Sequence, residues 1–163
     1  MRIRTLMLSV SAAAVLTGCG AESISARPAK LGKNFDRTAE IEYFGREYTA
    51  QLRRGGDGVW ECSFTSPDTV AGLKMTSDSE SCRMELDSLE YLCGSGQLPE
   101  YGLMPMLTGT LDTLIKGEDI SCTEHGDHTE ERGETAGQRF TANIKDGELR
   151  ELDIEGCMKA KFR

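Results

Sequence analysis

Six cysteines and two histidines are the side chains in this 163-residue chain best suited to nucleophilic, redox or metal chemistry. The cysteines are Cys19, Cys62, Cys82, Cys93, Cys122 and Cys157, and no two are spaced as Cys-x-x-Cys, so neither a dithiol redox motif nor a zinc ribbon is written here. With Cys19 set apart, five remain at irregular intervals. An odd, scattered set reads as free thiols buried as small hydrophobes, and which of them would pair stays open. His125 and His128 lie in Glu124-His125-Gly126-Asp127-His128-Thr129-Glu130-Glu131. Two imidazoles and a carboxylate can hold a borderline metal. This spacing matches no dedicated site, however, and Gly126 keeps it off a regular helix, so a solvated acidic hairpin tip is expected and no metal. Ser95 sits in Gly94-Ser95-Gly96, which lacks the Gly-x-Ser-x-Gly frame of a nucleophile elbow. No phosphate-binding loop with its lysine and no motif-placed carboxylate pair is found. The expectation is a protein with no cofactor and no catalytic role.

Cys19 differs from the other five in its surroundings. Arg2 and Arg4 give a positive start, residues 6–15 are apolar or small, and Leu16-Thr17-Gly18-Cys19 follows directly. That is the layout of a signal peptide. The apolar run is well short of the roughly 20 residues a helix needs to cross the hydrocarbon core, which argues against a permanent transmembrane anchor. The four residues Leu16-Thr17-Gly18-Cys19 resemble the lipobox of bacterial lipoproteins. The resemblance implies that the leader 1–18 is removed, that the Cys19 thiol carries diacylglycerol, and that the chain is held on the extracytoplasmic side of a cell membrane. The residue types suit those steps: a thiol is a strong nucleophile for taking a lipid, while Thr17 and Gly18 are small enough to pass a peptidase site. Two or three acyl chains, at about 0.8 kcal/mol per buried CH₂, anchor a protein without help from its charge. Residues 19–33 are small, polar and aperiodic, as expected of a flexible tether.

Charge then limits the partners. The chain has 19 basic and 27 acidic residues, a net of −8. Loss of Arg2 and Arg4 with the leader would leave 17 against 27, a net of −10. Nucleic acid and bare anionic lipid would both be repelled. A membrane reached through the lipid anchor, an apolar ligand, or an envelope protein remain as partners. At 38% hydrophobic and 28% charged residues, the composition is that of a globular domain rather than a disordered one. Residues 34–163 are enough for one core and one domain.

From Phe35 onward the apolar residues recur mainly with period two, the mark of strands with one buried face. Ala39, Ile41 and Tyr43 alternate with charged residues, as do Tyr48, Ala50 and Leu52, and then Trp60, Cys62 and Phe64 up to Pro67. Cys82, Met84 and Leu86 mark a fourth strand. The period changes over 105–116, where Met106, Leu107, Leu111, Leu114 and Ile115 form one helical stripe, with Asp112, Thr113 and Lys116 turned away. Pro105 suits the first helical position and Gly117 the position just past the end. Strand patterns return over 120–123, 139–144 and 149–154, the last two joined by the hairpin signal Asp146-Gly147, and Met158–Phe162 reads as a final edge strand.

These elements predict an α+β fold: a curved antiparallel sheet of six or seven strands, a half-barrel, covered by one amphipathic helix. That order resembles the periplasmic lipoprotein-localisation carriers (LolA-like), and the stretch Trp60-Glu61-Cys62-Ser63-Phe64-Thr65-Ser66-Pro67 continuing to Ala71-Gly72-Leu73 resembles small lipoproteins of anaerobic Gram-positive bacteria. The resemblance implies a non-enzymatic binding or carrier domain. An apolar ligand would lie against Met106, Leu107, Leu111, Leu114 and Ile115, although the same stripe is what any helix needs to cover a sheet. An envelope structural or interaction protein without a small ligand is the alternative. The anchor has a direct test. Cys19→Ser should abolish incorporation of labelled fatty acid and leave an uncleaved or membrane-released chain; a variant trimmed and retained normally would remove the lipoprotein reading.

Overall fold

A computed structural model describes residues 28, 29 and 31–163; the leader, Cys19 and most of the expected tether lie outside the described residues. The chain forms a first meander of β1 (Phe35–Tyr43), β2 (Arg46–Arg54), β3 (Trp60–Ser66), β4 (Lys74–Ser77), β5 (Ser81–Leu86) and β6 (Leu89–Gly94). After a 3-10 turn at Ser95–Gln97 comes helix α1 (Leu103–Lys116). A second meander then runs through β7 (Ser121–His125), β8 (His128–Thr135), β9 (Gln138–Lys145), β10 (Glu148–Ile154) and β11 (Met158–Phe162). All eleven strands belong to one antiparallel sheet, in the order β6-β5-β4-β3-β2-β1-β11-β10-β9-β8-β7.

The two meanders are joined by pairing β1 with β11, where Ala39 faces Phe162 and Ile41 faces Ala160. Thr38 and Arg163 extend this seam by exchanging two backbone hydrogen bonds, of 3.1 and 3.0 Å. The expectation of an edge strand at Met158–Phe162 is therefore corrected: β11 lies between β1 and β10, in the interior of the sheet. Its residues explain why, since Met158, Ala160 and Phe162 are buried while Lys159 and Lys161 point outward.

The strand count is corrected as well. Eleven strands form where six or seven were expected, so the sheet is not a half-barrel of that size. β4 is four residues long with one apolar residue, Met75, too short to show a period. β8 turns Thr129, Glu131, Gly133 and Thr135 inward, so its buried face carries no hydrophobic alternation. Gly133 is nevertheless fixed by packing: a Cβ there would lie 2.7 Å from the Phe140 ring of the neighbouring strand. β6 has Leu89, Tyr91 and Leu92 on both of its faces, which again hides the period.

Helix α1 begins two residues before the expected start. Gly102 caps it with no side-chain hydrogen bond, and Pro105 falls inside the first turn, where a missing N–H costs nothing. Gly117 closes it in the left-handed region (φ 67°), its N–H bonded to the Thr113 carbonyl at 2.9 Å. The chain must cross from the β6 edge to the β7 edge, and α1 makes that crossing over the inner face of the sheet. Met104, Met106, Leu107, Leu111 and Leu114 are buried there against inward side chains of β1–β3 and β9–β11. Thr108 and Thr110 are buried too, each satisfying its hydroxyl by donating to the carbonyl four residues earlier, at 2.8 and 2.7 Å.

Asp112, expected to face away, instead pins the helix. Its Oδ1 accepts from Arg54 Nε at 2.8 Å and from Trp60 Nε1 at 3.1 Å, while the Arg54 guanidinium stands 5.8 Å from the centre of the Trp60 ring. The end of the expected tether is also fixed in part: Leu31 is buried and Ala29 packs against the core. Because Leu111 is fully buried between helix and sheet, Leu111→Ala should cost about 2–5 kcal/mol, read as a lower urea midpoint at unchanged slope.

Candidate functional site

Four of the five thiols among the described residues are pushed toward their protonated form, chiefly by burial. Cys62 is raised to about 12. Cys82 is raised by burial and then by Cys93, Cys122 by burial and then by the Glu131 charge, and Cys157 by burial and then by Asp153. Thiols held protonated in this way attack slowly, unlike the low-pKa cysteines of enzymes that use a resting thiolate.

The two histidines flank the Gly126-Asp127 turn that joins β7 to β8. Their rings stack with centroids 5.3 Å apart. The carboxylate between them is already committed: Asp127 meets His128 Nδ1 at 3.0 Å and Lys145 Nζ at 2.5 Å. The hydrogen bond from Lys145, then that of His128, lowers its pKa to about 2. Among the described residues no three metal-ligating side chains come together.

The helix stripe, singled out as ligand-contacting, is occupied by protein. Met106, Leu107, Leu111 and Leu114 are fully buried in the core, and Ile115 packs partly buried against it. A broad groove of about 1010 Å³ lies instead on the outer face of β8–β11. Its charges neutralise one another: Arg139 pairs with Glu155 at 2.8 Å, Lys159 with Asp153 at 3.6 Å and Lys161 with Glu151 at 3.8 Å. Such a surface attracts neither cation nor anion strongly.

The surface that does stand out is the wing formed by β4, β5 and β6. Register carries the inner face outward from Cys62 through Met75 and Met84 to Tyr91, and from Leu86 to Leu89. Close to the helix these residues are half-buried, but at the edge Leu89 is 73% and Tyr91 58% exposed. On the outer face of the same strand Leu92 is 61% exposed. Three large apolar side chains thus crowd a strand whose outward backbone groups have no sheet partner. Reading the sequence by period missed this site, because Leu89-Glu90-Tyr91-Leu92-Cys93 places apolar residues at both parities. The only signal available was that failure to alternate.

On the opposite wing the inner face is polar. Glu131 is fully buried, one carboxylate oxygen accepts the Ala29 N–H, and the other has no protein partner. Burial raises its pKa above the usual glutamate range, against the lowering effect of the Ala29 bond. No protein-family model matches this chain, and no curated protein matches it.

The Glu131 carboxyl has a pH signature. An acid whose folded pKa is raised destabilises the fold once pH climbs past its unfolded value, and the penalty grows through the folded value. Glu131→Gln keeps an acceptor for Ala29 and cannot ionise. The variant should therefore melt above the native chain at pH 8, with the gap closing as pH falls through the glutamate range. A gap that widened on acidification would overturn this assignment.

Proposed function

We propose that this chain is a bacterial lipoprotein held through Cys19 on the extracytoplasmic side of a cell membrane, and that its folded part is a non-enzymatic binding domain. Its contact surface is edge strand β6 with the apolar inner face behind it, and its partner is an envelope protein. The observation that carries this reading is the exposure of Leu89, Tyr91 and Leu92 on one edge strand. Large apolar residues on a sheet edge are what an added strand from a partner requires: backbone groups supply hydrogen bonds and alternate side chains supply specificity. The leader-like segment 1–18 and Leu16-Thr17-Gly18-Cys19 support the membrane placement. Among the described residues no helix is long and apolar enough to cross a membrane. Elevated thiol pKa values and the Asp127–Lys145 pair both support a binding role over a catalytic one. The acidic balance disfavours nucleic acid as a partner.

A second reading is carriage of an apolar ligand. The filled helix stripe offers it no room in this conformation, so the half-buried Met75, Met84 and Leu86 are the better floor for one. Methionine-lined surfaces adapt readily to apolar guests.

A photo-reactive amino acid at position 91 of the full chain, expressed in cells, tests both. A discrete protein adduct should form at 91 and not at 153 on the outer face, and Leu92→Glu should reduce it by about fivefold or more, the loss of a contact worth roughly 1 kcal/mol. Adducts with lipid alone would favour the carrier reading. Equal labelling at 91 and 153, or none, would sink both.

A further inference from the structure

Cys82 and Cys93 are direct cross-strand partners on β5 and β6. Both lie on the inner face and both are buried. The Cys93 thiol points across the pair, 3.6 Å from the Cys82 carbonyl oxygen. Directly opposed residues of antiparallel strands have Cα atoms about 4.5–5.5 Å apart, inside the roughly 4.4–6.8 Å window a disulfide spans. Register offers no other such pair among the described residues. Cys62 faces Leu52 and Met75, Cys122 faces Glu131, and Cys157 lies in the turn before β11.

We propose that Cys82 and Cys93 are a reversible disulfide site that staples the edge strand of the binding wing to its neighbour. The oxidant is a small disulfide of the extracytoplasmic medium, RSSR, of which oxidised glutathione is the simplest probe. The Cys93 thiolate attacks one sulfur of RSSR, forming a mixed disulfide and releasing RS⁻. The Cys82 thiolate then attacks the Cys93 sulfur and expels the second RS⁻. The two thiol protons pass to the departing thiolates, so two cysteines and RSSR give one protein disulfide and two RSH. Cys93 is the entry point because it lies on the edge strand, whose local opening exposes it without disturbing the core. The chemistry stands on the register of the pair and is independent of what the wing binds; bridging would fix the strand that presents Leu89 and Tyr91.

The full chain should be incubated with oxidised glutathione, its remaining thiols blocked by alkylation after unfolding, and the product digested with trypsin. Cleavage after Arg83 separates the two cysteines. The expected product is the linked pair 75–83 with 84–116, lighter by two hydrogens than its parts and lost on reduction with dithiothreitol. It should exceed any other cysteine pair about tenfold, while Cys62 stays alkylatable. With Cys82→Ser, Cys93 should stop at the mixed disulfide and gain one glutathione. Mixed disulfides without bridging in the native chain, both thiols still free at excess oxidant, or a preferred pair elsewhere would each overturn the proposal. All three readouts on the native chain hold even if the variant fails to fold.

Discussion

The sheet has an apolar inner face across most of its width, and its main cover is one fourteen-residue helix. Eleven strands laid flat would span about 48 Å at 4.8 Å per strand, whereas a helix with its side chains is about 10–12 Å across and this one about 21 Å long. Curling the central strands around the helix relieves part of the mismatch. Small residues allow that closeness: Ala39, Ala50 and Ala160 on the three central strands β1, β2 and β11, and Ala142 on β9, are all essentially without exposure on the inner face. Bulkier neighbours, Trp60, Phe64, Phe140 and Phe162, fill the space to either side. Asp112 fixes the helix against the ends of β2 and β3, so its stripe cannot slide along the sheet.

What the helix cannot reach decides the character of the two flanks. Toward β7 the inner face becomes polar and is closed by the chain's own segment, through Ala29 and Glu131. Toward β6 it stays apolar, and beyond the buried Cys82 and Cys93 it is left open at Leu89 and Tyr91. Had the uncovered flank been as polar as Thr129, Glu131 and Thr135, nothing in the fold would mark it. The asymmetry between the flanks, more than any cleft, separates one surface from the rest. The outer face repeats the contrast, since its cross-strand ion pairs are of a kind that contributes little energy and resists association.

Much of this was readable in the residues, and the misses have physical causes. Where one face of a strand meets the core and the other meets water, as in Ala39-Glu40-Ile41 or Phe140-Thr141-Ala142, the period shows and the strand is found. Where the facing element is a glycine or a backbone segment rather than an aliphatic side chain, the inward residue is free to be Thr, Gly or Glu, and β8 vanished into a polar turn region. The helix is legible because its stripe answers to one partner surface, whereas the place of Asp112 is not, because its partners, Arg54 and Trp60, are more than fifty residues away in the chain. Strand order at the seam was unreadable for a similar reason. Nothing local to Met158–Phe162 says that its neighbour is the first strand rather than none. The exposed apolar side chains of β6 were hidden by their own failure to alternate.

The seam between the first and last strands also bears on how such a chain comes into being. A polypeptide made or threaded from its amino end can fold its first meander, and then its helix, only onto a sheet still missing the strand beside β1. Until Met158–Phe162 emerges, β1 is a raw border and Ile41 and Ala39 lack their flanking cover. Closure of the sheet beside β1 therefore waits for a segment more than a hundred residues further along the chain, a long-range pairing of the kind that forms late in folding.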